Sequence, residues 1–145
     1  ARVAGSKVIY TPQVLIDGTE PMSGNDAERI SSVLGGEMGQ SDLVRFRMQR
    51  EGDRRVVSVM PAPGLGEMVV QLIRYVPQRT VDIERGENAG HRVTYHNIVS
   101  DWSVLGHWDG QEKLRLDLDL KGEEPAVLLL QRVGFGPMVG AVRLR

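Results

Sequence analysis

The chain has 145 residues, is 41% hydrophobic, and sets 18 Lys and Arg against 19 Asp and Glu for a formal net charge of -1. This allows one globular domain of ordinary size, or one small domain with part of another, and removes any global basic field that would draw it to nucleic acid or an anionic membrane. It contains no cysteine, so neither a thiolate nor a disulfide originates here, and no apolar run approaches the ~20 residues of a membrane-spanning helix.

The sequence begins at Ala1 instead of Met, which reads as a processed or trimmed chain or a fragment. Ala1 to Gly5 has the character of a helix end stopped by glycine, and Lys7 to Tyr10 of a short extended lead-in. Thr11-Pro12 then feeds the brief apolar strand Val14 to Ile16 and the turn Asp17-Gly18-Thr19. Asn25, with Glu28 three residues on, predicts a capped helix that puts Ala27, Ile30, Val33 and Leu34 on one face and ends at Gly35-Gly36. Gly35 to Ser41 reads as a linker.

From Asp42 the period changes to two, the mark of strands with one buried face. Val44, Phe46 and Met48 alternate with Arg45, Arg47 and Gln49, and Glu51-Gly52-Asp53 returns the chain through Arg55 to Met60, predicting a hairpin. Further strands are predicted over Glu67 to Val76, Arg79 to Arg85 and His91 to Val99. Leu114, Leu116, Leu118 and Leu120 alternate with Arg115, Asp117 and Asp119, which predicts one buried and one solvated face. Ala126 to Val133 is more continuously apolar and suits a sheet interior. Phe135 to Leu144, broken at Gly136-Pro137, is the last. Short strands with a turn about every ten residues favour an antiparallel sandwich over a parallel sheet.

Several constellations invite chemistry. His91, His96 and His107, near Asp101 and Asp109, are of metal-ligating type, but His91 and His96 differ by an odd number and face opposite sides of a regular strand. They read as surface histidines. Ser100, His96 and Asp101 hold triad residue types without a nucleophile elbow. Gly86-Glu87-Asn88-Ala89-Gly90 lacks the Lys and Ser or Thr of a phosphate loop and is followed by a strand, so it reads as a hairpin connection. Trp102 and Trp108 are expected to plug one end of the core, whereas an exposed pair would form a recognition patch. Arg45, Arg47, Arg50, Arg54 and Arg55 gather on one hairpin and read as a solvated sheet face. No cofactor or metal is inferred.

Tyr10-Thr11-Pro12-Gln13 with Val14 to Gly18, Arg85-Gly86-Glu87-Asn88-Ala89-Gly90 with Tyr95, Asn97 and Val99, and Gly106 with Trp108-Asp109-Gly110 resemble the C-terminal part of a family of bacterial and plant secreted proteins, domain of unknown function 1223. The resemblance implies an α+β, mostly β chain: residues 1–40 the C-terminal part of a thioredoxin-like domain, residues 41–145 an antiparallel β-sandwich. It also implies a periplasmic or secreted protein whose cysteines lie in an upstream segment outside this sequence. Thiol-disulfide exchange or binding of an extended thiol substrate would follow, with Thr11 and Pro12, joined by a cis peptide, as the substrate-binding edge. The expected partners are that segment or another protein chain, and a protein or peptide substrate. A second reading, from the same residues, is a non-catalytic interaction module or accessory subunit. On either reading the strand Val14 to Ile16 and the helix face Ile30, Val33 and Leu34 need a covering element.

Overall fold

The computed structural model describes residues 13–18, 20–37 and 43–145. It is mostly β, with antiparallel sheets throughout. Thr11 and Pro12 lie outside the described residues, as does most of the expected linker.

The first described element is a hairpin, β1 (Gln13–Ile16) paired with β2 (Glu20–Ser23). Asp17 and Gly18 between them both take positive φ, 46° and 75°, a reversal that an Asp-Gly step makes cheaply. The strand expected to need a covering element is thus paired by β2. Glu20-Pro21-Met22-Ser23 escapes a periodicity reading because it carries a proline and a single large apolar residue. Helix α1 (Ala27–Glu37) follows. Its cap is Asp26, whose Oδ1 accepts from the Arg29 backbone N–H at 3.1 Å, so the boundary sits one residue beyond the expected Asn25. The helix also continues through Gly35 and Gly36 instead of stopping there.

A three-stranded sheet holds β3 (Phe46–Glu51), β4 (Arg54–Val59) and β7 (Leu114–Asp119) in the order β3-β4-β7. The predicted hairpin forms in the register Phe46↔Val59 through Glu51↔Arg54. Leu118 and Leu120 are buried, Leu114 and Leu116 half-buried, and Arg115, Asp117 and Asp119 exposed, as strand alternation requires.

The second sheet has four strands: β5 (Met68–Asp82), β6 (Arg92–Trp108), β8 (Ala126–Arg132) and β9 (Met138–Arg143), in the order β6-β5-β8-β9. Two of its strands are longer than their periodicity predicts. The two strands expected over Glu67–Val76 and Arg79–Arg85 are one 15-residue strand, and the strand expected over His91–Val99 runs on to Trp108, 17 residues in all. Pro77 does not end β5: the register resumes at Gln78↔His96 beyond it, and Asn97, on the opposite strand, takes a positive φ of 51°. Ser100 and Leu105 are extra residues where the β5–β6 register shifts, and such bulges let one long strand absorb twist without stopping.

Both sheets contribute to one apolar cluster, with Val57, Val59 and Leu118 from one and Met68, Val70, Leu128 and Leu130 from the other, joined by Trp108, Leu120 and Leu144. Arg55 also points into this side and is buried. Its Nε donates to the Leu144 carbonyl at 2.8 Å and its Nη1 to the carbonyls of Gly52 and Arg54 at 2.5 and 2.9 Å. The expected solvated arginine stripe is thus split between faces. Arg54 stays outside, bidentate with Asp117.

Candidate interaction face

Only Met68 to Arg74 of β5 pairs with β8, whereas β5 continues with β6 to Asp82↔Arg92. The two strands therefore extend past the sheet as a two-stranded arm, closed by residues 83–91. Gly86 to Gly90 forms the tip, where the Ala89 N–H donates to Gly86 O and the Gly90 N–H to Ile83 O at 3.1 and 2.8 Å. Among the described residues, nothing pairs with the far edge of β6.

Side-chain alternation gives this arm two unlike faces. Gln71, Ile73, Tyr75, Pro77, Arg79 and Val81 share one face of β5. Their β6 partners Val104, Trp102, Val99, Tyr95 and Val93 lie on the same side, since partners directly opposite share a face. Because the extra residue Ser100 sits at a bulge, the apolar side chains on either side of it stay together. The opposite face carries Arg74 with Asp101, half-buried Val76 with Ile98, then Gln78 with His96. Toward the tip the Thr80 and Thr94 hydroxyls hydrogen-bond at 2.9 Å and Arg92 pairs with Asp82. Val81, Tyr95, Val99, Trp102 and Val104 are all exposed large hydrophobics, with Trp102 and Val104 each 62% exposed.

The two tryptophans part company. Trp108 is 7% exposed within the core, its Nε1 donating to the Glu112 carbonyl at 2.8 Å, which is the expected core role. Trp102 lies outside, yet it is not loose. Its Nε1 donates to Gln71 Oε1 at 2.6 Å, Gln71 Nε2 donates to Gln131 Oε1 at 3.0 Å, and Gln131 Nε2 donates to the Gly136 carbonyl at 2.9 Å. Both glutamines are buried, so the bond between them is shielded from water, where it is strengthened and costly to break, while the bonds at either end are part-buried. It holds the indole in one place with its ring uncovered. At the far end of the relay the β1–β2 turn docks: the Met138 N–H donates to Asp17 O at 2.9 Å, and a Cβ added to Gly18 would lie 3.2 Å from Gln131 Nε2.

The other candidate groups stay apart. His107 Nδ1 lies 3.0 Å from Glu67 Oε1, while His96 sits on the polar face of the arm. Ser100 Oγ donates to Glu124 Oε2 at 2.9 Å, and Asp101 accepts from Ser103 Oγ at 3.0 Å, so the Ser100, His96 and Asp101 set is not assembled. Among the described residues no three His, Asp or Glu side chains gather as for a metal ion. No described helix is long and apolar enough to cross a membrane.

The family model for Protein of unknown function (DUF1223) matches residues 1–131. No curated protein matches the chain. In structure the chain is similar to protein AGR_C_4864 from Agrobacterium tumefaciens, known from an X-ray crystal structure, with a TM-score of 0.73 and 25% sequence identity over 99% of this chain. The match spans 65% of that longer chain.

Proposed function

The chain belongs to the DUF1223 family, whose description carries no activity, and from that premise we propose that it is a protein-interaction module that takes an extended polypeptide segment along the free edge of β6. One observation carries the reading: the arm has an apolar face on which Val81, Tyr95, Val99, Trp102 and Val104 are exposed, beside a strand edge that no described residue pairs. Edge strands bind by adding a strand, with main-chain hydrogen bonds supplying affinity and alternate side chains supplying specificity. Contiguous apolar surface of this kind on a soluble protein marks a contact site more often than it marks nothing. The partner segment is therefore extended, with aliphatic or aromatic residues at alternate positions facing Val99, Trp102 and Val104.

The test is selection from a displayed library of random peptides against the 145-residue chain. Selected peptides should alternate apolar with polar residues, and should lose at least ten-fold in affinity when Val99→Ser and Val104→Ser are combined. N-methylation of alternate peptide amides should abolish binding, because it removes the strand-pairing donors. Peptides that bind the double variant as well as the parent would refute the reading.

A second reading has its own support. The order β1, turn, β2, α1 directly after Thr11-Pro12 suits residues 1–40 as the later part of a thioredoxin-like domain, with residues 41–145 as the β-sandwich, in an exported protein. On that reading Thr11 and Pro12 form a substrate edge. Thiol-disulfide exchange would then use a thiolate from outside this chain, since the 145 residues contain no cysteine. Insulin reduction by the chain with and without an upstream cysteine-bearing segment tests it: activity only with that segment supports the reading, and none in either form contradicts it.

A further inference from the structure

The outer face of the three-stranded sheet, a different sheet from that of the arm, carries a second feature. Arg45 precedes β3 by one residue, and its carbonyl accepts from the Met60 N–H at 2.9 Å, which extends the β3–β4 ladder by one pair. Val44 is buried in the core and Phe46 packs against it, so alternation puts Leu43, Arg45 and Arg47 on the outside. Met60 and Ala62 line the same side. Together with Pro61 these side chains border an open cleft of about 350 Å³, within the size range of small-molecule sites. Its lining is apolar at Leu43, Met60, Pro61 and Ala62, and cationic at Arg45 and Arg47.

Neither arginine has an acidic partner among the described residues, unlike Arg54 with Asp117, Arg92 with Asp82 and Arg145 with Asp53. In β7 the residue across Ser58 from Arg47 is Arg115, two strands away on the same face. The acidic residues of β7, Asp117 and Asp119, lie further along, while Asp109 and Glu112 sit in the loop before the strand. Arg45, Arg47 and Arg115 thus share the outer face at the end of the sheet that holds the cleft.

We infer that this cleft binds a phosphate monoester carried on a short apolar body, with Arg45 and Arg47 holding the phosphate and Leu43, Met60 and Pro61 contacting the body. A planar guanidinium forks onto two phosphate oxygens, and two such forks with Arg115 on the same face match a group of charge near -2 better than a carboxylate of -1. The apolar wall requires more than a free anion.

The experiment is a titration of the ¹⁵N-labelled chain with hexyl phosphate, hexanoate, inorganic phosphate and hexanol at low ionic strength, reading backbone amide shifts. Hexyl phosphate should move the amides of residues 43–47 and 60–62, and bind at least ten-fold more tightly than each of the other three. Arg45→Gln combined with Arg47→Gln should weaken it at least ten-fold, while Arg79→Gln combined with Arg85→Gln, which removes the same charge from the arm, should leave it within two-fold. Equal binding of inorganic phosphate would remove the apolar contact, and equal binding of hexanoate would remove the phosphate assignment. Equal weakening by the arm variant would reduce the site to net charge, and each of these results overturns the inference.

Discussion

Gly140 of β9 lies so close to Val44 that a Cβ built on the glycine would sit 2.3 Å from Val44 Cγ2, and 3.0 Å from a ring carbon of Phe46. The two sheets meet there, and only the absence of a side chain lets them. Gly140→Ala should destabilise the fold by about 1–3 kcal/mol through overpacking. Val44→Ala in the same chain should recover part of that loss, a coupling that urea denaturation of the single and double variants would read.

Leu120 is fully buried, while Leu116 is only half-buried against the same core. Leu120→Ala should therefore cost about 2–5 kcal/mol and Leu116→Ala distinctly less. Equal losses in denaturant unfolding would contradict the graded burial along β7.

The Trp102 to Gln71 bond is the part-buried outer link of the relay, so removing its donor leaves an oxygen of the buried Gln71 side chain without its partner. Trp102→Phe should cost about 1–3 kcal/mol although the ring is largely exposed. Combined with Gln71→Leu, the two changes should cost less than their sum. Strict additivity in thermal unfolding would show that the relay does not hold the indole.

Arg54 holds the Asp117 carboxyl below the ordinary carboxylate range, chiefly through its side-chain hydrogen bonds. A depressed folded-state pKa contributes stability above the unfolded pKa and loses it as pH falls through the folded one. Compared with the parent, Asp117→Asn should be less stable at neutral pH, and the gap should close in acid, below the usual carboxylate range. Both partners are exposed, so the gap should be small and shrink further in high salt. A gap unchanged from neutral pH into strong acid would assign the loss to something other than charge.

Much of the three-stranded sheet was legible because its strands are amphipathic: Val44, Phe46 and Met48, then the leucines of β7, repeat every second residue against arginine and aspartate. Grouping five arginines by charge misplaced Arg55, which shares the Val57 and Val59 face, since a long cation whose head bonds to the Leu144, Gly52 and Arg54 carbonyls can end an apolar face from within. The arm was harder to read. Pro77 and Gly106 look like strand breakers, yet both fall in strands that continue past them, Pro77 opposite the left-handed Asn97 and Gly106 beside the extra residue Leu105. Nor does alternation say which face meets solvent, so it could not separate exposed Trp102 from buried Trp108. The Trp102, Gln71 and Gln131 relay joins three strands remote in sequence and leaves no local signal.

The central claim is that the Trp102 face is open in the isolated chain and covered by an extended partner. The most direct measurement is the relaxation of the Trp102 ring protons caused by a soluble gadolinium chelate, with and without a selected peptide. Strong relaxation is expected in the free chain, falling to the level of Trp108 in the complex. Weak relaxation in the free chain, or no change on complex formation, would contradict it.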